Sequence, residues 1–134
     1  MAIKTVIDTN VLVSALSSRS TYHWLIKHLF EEKIVLYVTT EIILEYEKIL
    51  KQKYSYTVAE YFLLALKELP NVHLTQVYFK WNLLSDSDDN KFADCYLSAN
   101  AAYLITNDNG FNKLKSLEFP LFSIISIQEF ANVL

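Results

Sequence analysis

One glycine, two prolines, one cysteine and one arginine are all that the 134-residue chain holds of these residues, and each scarcity closes off a class of protein. With Gly110 as the single glycine there is no glycine-rich phosphate loop, flexible linker or collagen-like period. Cys95 alone can form neither an intramolecular disulfide nor a cysteine-based zinc site, which agrees with a reducing cytoplasm. No apolar run reaches the length needed to span a bilayer, and the start from Met1 to Asn10 is too short and too soon acidic for a signal peptide. The expectation is therefore a soluble cytoplasmic protein with no membrane association. Arg19 is the only arginine and the formal net charge is −3, so the global basic footprint of a nucleic-acid binder is also missing.

What is present is apolar mass. Hydrophobic residues make up 52% of the chain and aromatics 14%, enough for one compact domain over residues 1–134 to bury a core without covalent staples. The apolar residues fall into alternating patterns. Ile3 to Ile7 is a short β-branched run that stops at Asp8-Thr9-Asn10, after which Val11, Leu12, Ala15 and Leu16 take up helical spacing. Tyr22, Leu25, Ile26 and Leu29 continue at helical spacing to the Glu31-Glu32-Lys33 break, and Ile34 to Val38 reads as a second buried strand.

Thr39-Thr40 offers an N-cap for a helix running to about Lys53, and Tyr56 to Leu69 gives another, closed by Pro70. Val72 to Leu74 reads as a short strand and Gln76 to Leu84 as irregular. Beyond Asp86-Ser87-Asp88-Asp89, a helical repeat of Phe92, Tyr96 and Ala99 leads to the strand Tyr103-Leu104-Ile105 and a turn over Thr106 to Gly110. Phe122 to Ile125 is expected as a further strand, with a capping box, Ser126 to Glu129, opening a terminal helix. Strands that alternate with helices imply an α/β fold: a parallel sheet with helices on both faces.

In such a sheet the turns after the strands collect along one edge. Asp8 and Asp108 both occupy such turns, a hundred residues apart. Glu45, in the second turn of its helix, and Asp89, at the start of the helix before the third strong strand, can reach the same edge. Carboxylates brought together repel unless protonated or bridged by a cation, and hard divalent ions such as Mg²⁺ and Mn²⁺ favour oxygen ligands. Each acid also has a plainer reading: Asp8 as a helix cap, Glu45 as a solvated boundary residue, Asp108 as turn chemistry. One member of the 86–89 cluster is expected to cap the helix, with Asp86 and Asp88 the stronger candidates. Asp94, five positions after Asp89, turns roughly 140° around a helix and so cannot share its face unless the helix starts late.

Other residues offer less. His23 and His28 lie five apart on different helix faces, His73 has no partner, and Cys95 on an apolar helix face reads as core.

Taken in order, four strings resemble the PIN domain family, and within it the toxin components of prokaryotic toxin–antitoxin pairs. They are Val6-Ile7-Asp8-Thr9-Asn10-Val11-Leu12-Val13, Glu41-Ile42-Ile43-Leu44-Glu45-Tyr46, Asp86-Ser87-Asp88-Asp89-Asn90-Lys91-Phe92 and Leu104-Ile105-Thr106-Asn107-Asp108. The resemblance spans nearly the whole chain and implies a PIN-like three-layer sandwich around a parallel sheet of four to five strands. It implies a ribonuclease that uses Mg²⁺ or Mn²⁺ held by Asp8, Glu45, Asp89 and Asp108, with Asn10 and Thr106 as supporting polar groups and Asp86, Asp88 and Asp94 less secure. RNA as substrate, a cognate antitoxin and a homodimer are the partners it implies.

Two departures stand out. Asn107 takes a place where many relatives have glycine, and asparagine tolerates the left-handed backbone a turn there would need. Basic residues are few; Lys48, Lys51, Lys53, Lys91 and Lys113 lie near the acid-bearing segments as candidates for RNA-backbone contacts. Two rivals remain: a binding module with a vestigial metal site, and a phosphatase on small substrates. The second is disfavoured by Asn10, where such enzymes often place a second aspartate.

Overall fold

A computed structural model describes residues 2–134. Five strands, β1 (Ile3–Ile7), β2 (Ile34–Val38), β3 (Val72–Leu74), β4 (Tyr103–Ile105) and β5 (Ile124–Ile125), form one wholly parallel sheet in the order β3-β2-β1-β4-β5. Five α-helices lie between them, α1 (Thr9–Leu16), α2 (His23–Phe30), α3 (Thr40–Lys53), α4 (Tyr56–Glu68) and α5 (Asn90–Ala99), with a 3₁₀ helix over Asn109–Ser116, and α6 (Ile127–Val133) follows β5. The expected α/β architecture is present.

The strand order carries the functional geometry. The chain builds outward from β1 through β2 to β3, then returns across the sheet to lay β4 on the other side of β1 and β5 beyond it. Because crossovers between parallel strands are right-handed, reversing direction moves the connecting helix to the opposite face. The chain therefore covers both faces, with α5 packed across β1, β2 and β4. The point of reversal, between the ends of β1 and β4, is where a cleft opens in sheets of this kind.

Burial explains the periodicities. Val6, Ile7, Leu104 and Ile105 are fully buried, as strands covered on both faces must be. In α3 the stripe Ile42, Tyr46 and Leu50 turns inward, and Tyr46, fully buried, donates its hydroxyl hydrogen to the carbonyl of Ile7. Thr39 caps α3 by accepting from Ile42 N–H, and the capping box at Ser126 and Glu129 forms in both directions. Asn100, at φ 54°, ends α5 in the left-handed conformation.

Two expectations need correcting. The strand expected over Phe122 to Ile125 reduces to Ile124–Ile125, because Phe122 stacks on Tyr96 and Ser123 N–H donates to the Tyr96 hydroxyl instead of to a neighbouring strand. The turn expected over Thr106 to Gly110 runs into the unexpected 3₁₀ helix, which buries Phe111 and Leu114.

Replacing Tyr46 by Phe removes one buried hydrogen bond while keeping the ring. It is expected to cost about 1 kcal/mol in urea unfolding, whereas an unchanged midpoint would show that the Ile7 carbonyl gains nothing from the hydroxyl.

Candidate active site

The side chain of Asp8 follows directly from the meeting of β1 and β4. Ile7 pairs with Ile105, Asp8 N–H donates to the Ile105 carbonyl at 2.9 Å, and Thr106 is thereby set beside Asp8. Thr106 Oγ1 donates to Asp8 Oδ2 at 2.8 Å and accepts from Asp108 N–H at 3.0 Å, so one buried hydroxyl ties the two aspartates together. Asp8 heads α1, where its side chain makes no cap hydrogen bond of good geometry, although the Thr9 N–H at the start of the helix does lower its carboxyl somewhat. Its carboxyl is pushed up from the ordinary aspartate range, chiefly by burial; the Thr106 hydrogen bond opposes this and the charges of Asp108 and Glu45 add to it.

Asp108 does serve the local turn, since its Oδ1 accepts from Gly110 N–H at 2.8 Å. It remains exposed, and Gly110 keeps the space around it open. A Cβ on Gly110 would stand 3.2 Å from Asp108 Oδ1 and 3.4 Å from Asp89 Oδ2. This glycine is not in the positive-φ region, so it provides room and not an unusual backbone angle. Asp89 makes no side-chain cap to α5 and is raised to about 6, by partial burial first and then by Asp86, Asp108, Asp8 and Glu45. Asp86 and Asp88 are exposed, and Asp86 Oδ1 closes a turn by accepting from Asp88 N–H.

Glu45 reaches the same neighbourhood from α3. Thr9 Oγ1 donates to its Oε2, and Lys91 Nζ lies 2.6 Å from its Oε1. Thr9 drew no attention as a polar contributor in the sequence, because its role depends on a residue 36 positions away. Of the lysines named as candidates for RNA-backbone contacts, Lys91 is paired with an acid of the site and Lys51 with Glu47. Asn10 is exposed and lines a cavity with Asp8, Lys53 and Asp108.

Asp94 is elsewhere. It is buried, accepts from Trp81 N–H at 3.1 Å, and lines a separate cavity of about 340 Å³ with Thr40, Gln76, Lys80 and Lys91. Asn107 also departs from expectation: its φ is not positive, and its Oδ1 accepts from Ile127 N–H at the start of α6. Cys95 is buried and its thiol is pushed up to about 12 by that burial, which leaves it protonated core.

Asp8, Asp89, Asp108 and Glu45 therefore feel one another electrostatically. Two observations fit them to a hard divalent cation. The donors are all carboxylate oxygens, and the gap over Gly110 is a cradle between two of them that a side chain would fill. As the side chains stand, however, no three acidic, histidine or cysteine groups among the described residues are close enough together to hold an ion.

A family model described as PIN domain matches residues 4–110. Among solved structures, the chain is similar to the Mycobacterium tuberculosis toxin VapC20, described as cleaving the sarcin–ricin loop, with a TM-score of 0.62 at 15% identity over 85% of this chain and 97% of that one. It is similar to VapBC2 from Rickettsia felis bound to a promoter DNA fragment, with a TM-score of 0.61 at 14% identity over 91% and 97% of the two chains. The PIN domain endonuclease Utp24 gives a TM-score of 0.54 at 17% identity over 91% and 83%. No curated protein sequence matches the chain significantly.

A carboxyl whose folded-state value stands at about 6 against an ordinary 3.8 binds its proton more tightly in the folded state. Its contribution to stability is full below the lower value and is lost as pH rises through the higher one. Asp89→Asn is therefore expected to stabilise the metal-free protein at neutral pH, by about 1 kcal/mol once solvent screening is allowed for. The gain should fade in acid; urea unfolding in chelator across that window measures it, and an equal gain at every pH would contradict the assignment.

Proposed function

Because the chain belongs to the PIN domain family, we propose that it is a metal-dependent ribonuclease, a hydrolase of RNA phosphodiester bonds acting as the toxin of a toxin–antitoxin pair in the cytoplasm. The observation that carries this reading is the convergence of Asp8, Thr106 and Asp108 through one hydroxyl at the point where the sheet reverses, with Asp89 across Gly110. Its support outside the chain is the fold shared with VapC20 and Utp24, the first described as an RNA-loop-cleaving toxin and the second as an endonuclease.

In this reading Asp8, Asp89 and Asp108, together with Glu45, hold Mg²⁺ or Mn²⁺. A cation held there would supply Lewis-acid polarisation of a phosphate and an activated water for in-line attack. The protein's own groups do the positioning. Thr106 fixes the orientation of Asp8 and of the Asp108 backbone by donating to one and accepting from the other. Thr9 orients Glu45 in the same way. Burial and mutual repulsion hold the Asp8 and Asp89 carboxyls above their ordinary range, so a cation among them would relieve the repulsion but would compete with protons, and its hold would weaken as pH falls through about 6. No side-chain nucleophile is required.

The cognate antitoxin, and a second copy of the chain, are the protein partners in this reading. The fold shared with VapBC2 supports the first.

A second reading, a catalytically inactive module that binds RNA or protein, is favoured by one observation: the side chains do not already converge on an ion. Fluorescent RNA incubated with Mn²⁺ and either wild-type or Asp8→Asn protein separates the two. Wild type is expected to cleave and to stop in chelator, and the variant to lose at least about 100-fold. RNA binding without metal-dependent turnover would establish the inactive module.

A further inference from the structure

Lys91 stands out among the ion-paired lysines. The pairs Lys33–Glu31 and Lys51–Glu47 lie on the surface, with side chains 37% to 59% exposed. Lys91 and Glu45 are 13% and 23% exposed, and their contact is 2.6 Å. The second oxygen of Glu45 is taken by the Thr9 hydroxyl. Both oxygens of one acid of the cluster are thus engaged by the protein itself, and the ammonium supplies positive charge where the neighbouring acids repel one another.

We propose that Lys91 is a built-in counter-cation of the acidic centre, which competes with a divalent ion for Glu45 and sets how tightly that ion binds. The inference rests on the proposed metal site and goes beyond it in naming what occupies Glu45 before the ion arrives. An ammonium at 2.6 Å holds Glu45 by charge and hydrogen bond together, and its own charge repels a second cation. The displaced ammonium has somewhere to go. Lys91 also lines the 340 Å³ cavity that contains Asp94, and Asp94 is three residues further along α5, the spacing at which helical side chains meet.

The test measures Mn²⁺ binding alone, by calorimetry and by the thermal shift it produces, in wild type, Lys91→Met and Lys91→Arg. Lys91→Met is expected to unfold at a lower temperature without metal and to bind Mn²⁺ about tenfold more tightly, while Lys91→Arg stays near wild type because it keeps the charge. Equal or weaker binding by Lys91→Met overturns the counter-cation role and leaves the metal site standing; no binding by any of the three overturns both. Should Lys91→Met fail to fold, amine labelling of wild-type protein read by mass spectrometry decides the question. Lys91 is expected to be protected without metal and to label faster with saturating Mn²⁺, and a rate that falls or stays constant overturns the proposal.

Discussion

The pairing of β1 with β4 is the constraint on which the site depends. These strands are separated by about a hundred residues of chain, yet Ile7 lies opposite Ile105, and the ladder continues through Asp8 N–H to the Ile105 carbonyl. Once that register is fixed, Thr106 has little choice but to meet Asp8, and its single hydroxyl can donate to one aspartate and accept from the backbone of another. A slip of one residue would turn Asp8 to the other face of the sheet, because side chains alternate along a strand. Buried apolar neighbours on both sides of the sheet make such a slip costly.

Around this junction the molecule accumulates a charge imbalance that its fold does not need. Asp8 is nearly buried, Asp89 is partly so, and each is destabilised by the others. Local compensation is limited to the Thr106 hydroxyl, the Thr9 hydroxyl, the Lys91 ammonium and the space left by Gly110. Such a cluster suits the proposed cation site, and sites of that kind are where stability is commonly traded for activity. The net negative charge, which argues against nucleic-acid binding when spread over a surface, has a different meaning when several acids are gathered at one edge.

Gly110 and Asn107 show how a turn can be read for the wrong reason. Glycine-rich or asparagine-rich turns normally invite an argument about left-handed backbone, yet neither residue adopts it here. Gly110 leaves free the space that a side chain would fill between Asp108 and Asp89, and Asn107 uses its amide oxygen to hold the start of α6. The local sequence carries the residue types; their purpose lies in what approaches from outside the turn.

The sequence by itself determined the strands Ile3 to Ile7 and Ile34 to Val38, the helices after them, the capping box at Ser126, and the position of Asp8 and Asp108 after strands, because periodicity and capping act over a few residues. It also held the four strings that resemble PIN domains, and the match of that family to residues 4–110 agrees with them. Only the tertiary structure decided that Thr106 would bridge two aspartates, that Thr9 and Lys91 would both engage Glu45, and that Asp94 would face a different cavity. Those contacts join segments tens of residues apart, and no local pattern records a partner whose position is set by how strands order themselves in a sheet.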